Sequence, residues 1–319
     1  MRLVKPSFEI LEQGPGLQGI YKQIELAGRT CYKSLDKITE NSAEGFVSRM
    51  IASQHYAMLE HGTVYLRQDI SLKDMAIAMS NGEKPVMELL EKYGENPYSN
   101  AGGGRLFDED IFTIVVTTNY RVLVENDWLD DLKYLCKPTE FHEKRVTVRF
   151  TTDRGVSHEF VRHRVFSFAQ ESTRYCNYSK DKFGSELTFI IPSWLSIEEG
   201  SYGVGHSFGK GHFYECNENR IYCDEENKEE FFKVLNFLKT LNLSSQVYMS
   251  MLNAFGLTPQ QARQVLPNAL KTELVMTGFM SDWQHFFDLR ARGTTGAPHP
   301  DAKALAEPLM HEFKNRNLI

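Results

Sequence analysis

The run from Arg162 to Arg174, RHRVFSFAQESTR, concentrates residue types that could do chemistry: three arginines, a histidine and two serines, followed by Tyr175. Arginine stays charged at any working pH, and its planar fork matches phosphate oxygens in pairs. Ser167 and Ser172 add hydroxyl donors, and His163 can donate a hydrogen bond or stack on a flat ring. Together they suit a cradle for phosphate and for electron-rich rings. On charge alone, the run also reads as a solvated helix end paired with Glu159 and Glu171.

The elements around the run decide where it sits. RVTVRFTT (145–152) alternates as a half-buried strand, and Asp153-Arg154-Gly155 turns it into a helix around Val156–Val165 that ends at the RHR triplet. Helical spacing marks 18–33, 43–58 and 228–255, with Gly256 as a C-terminal stop and Thr258-Pro259 starting another helix. A helix is expected at 71–80. TVYL (63–66), FIIP (189–192) and ELVMT (273–277) read as strands, NPYSNAGGG (96–104) as a loop, and IFTIVVTT with RVLVE as a strand and its turn. Ser281 and Gln284 form a capping box ahead of Trp283, Phe286 and Phe287. The expected fold class is α+β, with a mostly antiparallel central sheet. There is no regular βαβ rhythm and no glycine-rich dinucleotide fingerprint, since GGGR at 102–105 has the wrong spacing.

At 319 residues, 41% hydrophobic and 24% charged, the chain has ordinary globular composition. Its net charge of -6 argues against a nucleic-acid coat or a binder of anionic membranes, so an anion site must be a local cluster. No apolar run is long enough to span a bilayer, and MRLVKPSFEI lacks a signal-peptide core; a cytoplasmic location is the expectation. Five cysteines without a CxxC pair argue against a disulfide scaffold. Cys176 has no evident activating base and reads as structural; Ser172 reads as a phosphate donor sooner than a nucleophile. His206, His212, Cys216 and Cys223 are zinc-ligand types within one polar loop, at a spacing that matches no standard finger.

RHR followed by seven residues and Ser172 resembles the signature of the flavin-dependent thymidylate synthases. RGVSHEFVRHR (154–164) and STRYCNYS (172–179) extend the resemblance on both sides. RTCYKS (29–34), LEHGT (59–63), ARQVLP (262–267) and HFFDLR (285–290) resemble further family blocks in order, and together the blocks cover about half the chain.

The resemblance implies reductive methylation of deoxyuridylate (dUMP) to thymidylate, with 5,10-methylenetetrahydrofolate as carbon donor and FAD, reduced by NADPH, as hydride source. It implies a homotetramer with active sites shared between subunits. By motif position, His61, Thr63, Arg162, His163, Arg164, Gln170, Phe279, Ser281 and His285 would contact FAD. Glu159, Arg162, Gln170, Glu171, Ser172, Thr173, Arg174, Arg263 and Arg290 would line the nucleotide site. Arg290 matches the arginine assigned to ionising the uracil ring, a role that suits a permanent cation beside developing negative charge. Gln170 stands where many members have Glu, Glu159 where Gln can occur, and Phe279 where Asn is frequent. Residues 67–142 and 200–227 are expected to be insertions in a single domain spanning 1–319. A non-catalytic flavin- or nucleotide-binding member of the fold is the second reading.

Overall fold

A computed structural model describes residues 1–82, 87–105, 110–180, 184–204, 214–216, 219–221 and 228–319. Its strands are β1 (Arg2–Val4), β2 (Ser7–Leu11), β3 (Thr63–Ser71), β4 (Asn100–Arg105), β5 (Ile111–Asn119), β6 (Arg145–Asp153), β7 (Ser167–Gln170), β8 (Thr188–Ile190), β9 (Gly200–Val204), β10 (Tyr214–Cys216), β11 (Asn219–Ile221) and β12 (Lys271–Phe279). Its helices are α1 (Gly16–Cys31), α2 (Ser42–Ala52), α3 (Leu72–Ser80), α4 (Glu88–Tyr93), α5 (Tyr120–Glu125), α6 (Arg154–Phe160), α7 (Lys228–Asn253), α8 (Pro259–Ala262), α9 (Met280–Phe287) and α10 (Pro300–Asn315). The fold is mixed α+β. The strands form three sheets, ordered β2-β6-β12-β7, β3-β5-β4 and β11-β10-β9-β1-β8. Among the described residues, pairing is antiparallel except where β1 runs parallel to β8.

The β2-β6-β12-β7 sheet is covered on both faces. One set of alternating residues, Val146, Val148, Phe150, Leu274 and Met276, packs against Trp283, Phe286, Phe287, Leu305 and Phe313 of α9 and α10. On the opposite face, Val275 and Ala169 join a core built from α1, α2, β3 and β5, including Ile20, Ile24, Phe46 and Val64. The spacing of Ile20, Ile24 and Ala27 gives α1 its buried stripe. A third core places Leu3 and Phe189 against Leu238, Leu241 and Tyr248 of α7.

Several sequence expectations change. Asn100–Arg105, expected as loop, is a strand paired with β5 from Asn100↔Thr117 to Arg105↔Phe112; its backbone completes a ladder that local glycine content does not reveal. RVLVE is helical because the Asn119 side chain accepts from Val122 N–H at 3.3 Å and caps α5. The helix leading to RHR ends at Phe160, so the triplet lies in the turns before β7. The stretch 43–58 is a helix to Ala52 followed by a 3₁₀ turn over Tyr56–His61, and FIIP is strand only to Ile190. Ser281 and Gln284 do not cap α9: the Asp282 carboxylate accepts from Phe279 N–H at 2.9 Å, while Ser281 donates to Glu143 at 2.6 Å. His206, His212 and Cys223 lie outside the described residues, and Cys216 is described only as backbone in β10.

Candidate active site

The candidate residues fall into three groups. In the first, the end of α9 widens into a π-helical turn, Asp288–Arg292, which closes at Gly293 in the left-handed region (φ 69). This turn carries Arg290 to the RHR triplet. Its Nε donates to His163 Nε2 at 3.0 Å, Nη1 to the Glu159 carboxylate at 2.9 Å, and Nη2 to the Glu159 carbonyl at 2.7 Å. His163 is buried, with its ring 5.1 Å from Phe286 and 6.1 Å from His285. Burial first, then the Arg290 charge, pushes its pKa down to about 4, which keeps the ring neutral and able to accept. Arg162 is exposed and pairs with Glu159 at 3.3 Å, and Arg164 is exposed beside it.

The second group surrounds His61, which is fully buried. Its Nδ1 lies 2.8 Å from Thr277 Oγ1, which lies 2.8 Å from Thr147 Oγ1. These threonines face each other across the β6–β12 register. Burial and the nearby Arg145 charge push the His61 pKa down to about 3 against the opposing Phe168 backbone, and Nε2 has no hydrogen-bond partner among the described residues. Thr63 is pinned by Gln13, which bonds both its N–H and its carbonyl at 2.8 Å. Arg145 donates to the Glu60 carbonyl at 3.0 Å, Thr63 Oγ1 at 3.5 Å and Ser167 Oγ at 3.2 Å, and lies 5.5 Å from the Phe279 ring centroid. Burial pushes its pKa down to about 10.

The third group lies past β7. Ser172 N–H donates to the Cys31 carbonyl at 3.0 Å, so the early RTCYKS block lies against the STR turn. Arg263 donates to Thr173 Oγ1 at 3.1 Å, and Arg174, itself exposed, to Gln260 at 3.2 Å. Gln170 uses its amide N–H on Ser157 at 2.9 Å and Thr272 at 3.3 Å. Glu171 turns inward: its buried carboxylate accepts from Tyr178 at 2.9 Å and pairs with Lys271 at 3.1 Å and Lys33 at 3.5 Å. Burial alone would raise its pKa, but the two lysines hold it below the usual carboxylate range. Its side chain therefore braces the turn.

The structure thus brings Arg290, His163, Glu159, Arg162 and His285 together, and separately Thr173, Arg174 and Arg263. Sequence reading missed Arg145 and Lys271. The available signal for Arg145 was the polar alternation Arg145, Thr147, Arg149 on one strand face, which suggests solvent and is instead partly covered.

A family model described as "Thymidylate synthase complementing protein" matches residues 113–316. The chain belongs to this family. Among known members of similar sequence, the flavin-dependent thymidylate synthase of Pyrococcus furiosus is 30% identical over 137 residues, covering 43% of this chain and 42% of that protein. That of Corynebacterium efficiens is 28% identical over 179 residues, covering 51% and 54%. The chain spans about half the length of the curated relatives it matches. A solved structure of the UMP/dUMP methylase PolB from Streptomyces cacaoi bound with 5-Br UMP overlaps 99% of this chain and 92% of its own, at 14% identity and a TM-score of 0.42. The family match contains the RHR triplet, Arg263 and Arg290, while His61 and Thr63 precede it. No helix among the described residues is long and apolar enough to cross a membrane. Among the described residues no group of three or more His, Cys, Asp or Glu is placed to hold a metal.

Proposed function

We propose that this chain is a flavin-dependent thymidylate synthase that converts dUMP to thymidylate. The observation that carries the reading is the contact of Arg290 with His163 and Glu159, residues 127 and 131 positions away in sequence. It joins the residue expected to act on the uracil to the motif expected to hold the flavin.

The residues present fit a flavin. The buried His61 has an Nε2 without a partner among the described residues, and exposed Arg162 and Arg164 flank a neutral, ring-packed His163. His61, Thr63, Arg162, His163, Arg164, Phe279, Ser281 and His285 would hold FAD. Gln170 would act through its backbone or carbonyl oxygen, since its N–H groups already bond Ser157 and Thr272. When bound and reduced by NADPH, the flavin supplies hydride, and 5,10-methylenetetrahydrofolate supplies the carbon.

Ser172, Thr173, Arg174 and Arg263 would hold the nucleotide phosphate; Arg263 already sets the Thr173 hydroxyl. Glu171 supports this turn from beneath and leaves the phosphate to the cations. Arg290 would stabilise negative charge on the uracil, with Glu159 aiming its fork and His163 accepting from Nε. Residues 67–142 and 200–227 are read as insertions in one domain, and the working form as a cytoplasmic homotetramer with shared sites, which would draw the three groups together.

Absorbance spectroscopy and mass measurement of the purified protein test the reading. A flavin spectrum, native or after FAD addition, on a tetrameric species supports it; failure to bind FAD would falsify it.

A further inference from the structure

Arg145 is a half-buried cation with no ion-pair partner among the described residues. Its guanidinium bonds neutral oxygens: the Glu60 carbonyl at 3.0 Å, Ser167 Oγ at 3.2 Å and Thr63 Oγ1 at 3.5 Å. The two carboxylates whose charge reaches it are engaged elsewhere. Glu60 pairs with Arg121 at 2.6 Å, and Asp282 accepts from Phe279 N–H at 2.9 Å. The Arg145 Nε is enclosed and has no partner among the described residues. With its pKa lowered only to about 10, the group stays charged at neutral pH. Desolvating a charge without a counter-ion is costly, so a cation kept this way points to a bound anion.

The position of Arg145 says which anion. It opens β6 as the register partner of Phe279, the last residue of β12, and its guanidinium lies 5.5 Å from the Phe279 ring centroid. Thr63 and Phe279 are both assigned to FAD by motif position, yet a phenylalanine side chain has no donor to offer. Arg145 brings charge and N–H groups to that point. The hydroxyls of Thr63 and Ser167 accept from it, which leaves their own hydrogens free to donate. Arg145 and Thr63 also share the wall of a cavity of about 1060 Å³, so both border open space. Lys144, the preceding residue, lines the same wall but is exposed, and its charge is solvated.

We propose that Arg145, which no motif position names, binds the diphosphate of the flavin cofactor. Oxidised FAD carries its negative charge on that diphosphate, and a planar guanidinium fork beside a hydroxyl matches phosphate oxygens. The cofactor would supply the counter-ion that the protein alone does not, and the cation would take over the polar contact that Phe279 lacks. This role rests on the proposed flavin dependence.

Titration of the FAD-free full-length protein with oxidised FAD, at low and high salt, tests it. R145Q should weaken FAD by at least ~30-fold, the scale of removing one partner from a desolvated charge pair. Its remaining affinity should depend less on salt than that of wild type. K144Q, which removes a solvated charge from the same wall, should change affinity by less than ~3-fold. Equal FAD affinity of R145Q and wild type overturns the proposal, as does a loss that leaves the salt dependence unchanged, since that would be lost packing alone. Should R145Q not fold, R145K keeps the charge without the fork; it should lose at least ~3-fold, and no loss overturns the proposal. Wild type that binds no FAD counts against the flavin reading itself, whereas wild type that binds FAD no better than R145Q counts against Arg145 alone.

Discussion

Arg290 donates through Nε to His163 Nε2 at 3.0 Å, so the histidine must be unprotonated at Nε2 and carry its hydrogen on Nδ1. A cation fixes the tautomer of a buried ring, and the same ring orients the cation. Glu159 completes the arrangement by accepting from both ends of the guanidinium fork.

One consequence is a loss of stability in acid. His163 and His61 have folded pKa values of about 4 and about 3 against an ordinary value of 6.5. Between those limits the unfolded chain binds protons that the folded chain refuses, so stability rises with pH through this window. At pH 5 each histidine should remove about 2 kcal/mol relative to pH 7. Half-buried Asp153 and Asp282, with raised pKa values, act in the opposite sense, so the comparison must be with a variant. Urea unfolding of His163→Gln at both pH values should show a difference smaller than wild type by about 2 kcal/mol; identical differences would refute a neutral buried His163.

Removing the cation should separate chemistry from binding. Arg290→Ala is expected to lower turnover by ~100-fold or more, the scale of losing one donor to developing charge, while FAD affinity changes by less than ~3-fold. Glu159→Ala should give an intermediate loss of turnover because it frees the fork without removing it. Steady-state assays beside flavin titrations check this, and parallel loss of flavin and turnover would take Arg290 out of the catalytic role.

Lys271→Met should destabilise the fold by roughly 3–5 kcal/mol, because it leaves the buried Glu171 carboxylate with Lys33 as its one ionic partner among the described residues. The cost should fall sharply in the double variant Lys271→Met/Glu171→Met, which removes both charges. Thermal or urea unfolding of the cycle reads this; additive losses would show that the pair does not act as a unit.

Close packing beside His61 gives a further expectation. A methyl group on Gly62 would sit 2.7 Å from Ile20 Cγ2 and Ile24 Cδ1, side chains locked inside the core. Gly62→Ala should therefore cost roughly 1–3 kcal/mol of stability. An unchanged unfolding midpoint would mean that α1 yields easily at this point.

Much of this was legible in the sequence where local pattern and tertiary demand agree. The alternation of Arg145–Asp153 and the apolar period of α7 named their elements correctly. Local reading failed where a partner strand decided the outcome. Asn100–Arg105 is half glycine and becomes a strand because β5 offers a continuous edge. Asp282 took the capping-box role expected of Gln284 because the helix begins two residues earlier, with Phe279 at the cap position directly out of β12. The site residues were legible as types and order, but their partners were not. Nothing local shows that Glu171 points inward to Lys271, or that Arg145, on the polar face of its strand, is overlaid by the N-terminal half. Both facts arise from residues far apart in sequence.

The most direct measurement is thymidylate formation by the purified protein supplied with dUMP, FAD, NADPH and 5,10-methylenetetrahydrofolate, followed by chromatography of the nucleotide products. The account predicts thymidylate with tetrahydrofolate as co-product, abolished by omitting the flavin or by Arg290→Ala. A folded, flavin-loaded protein that leaves dUMP unchanged would contradict it.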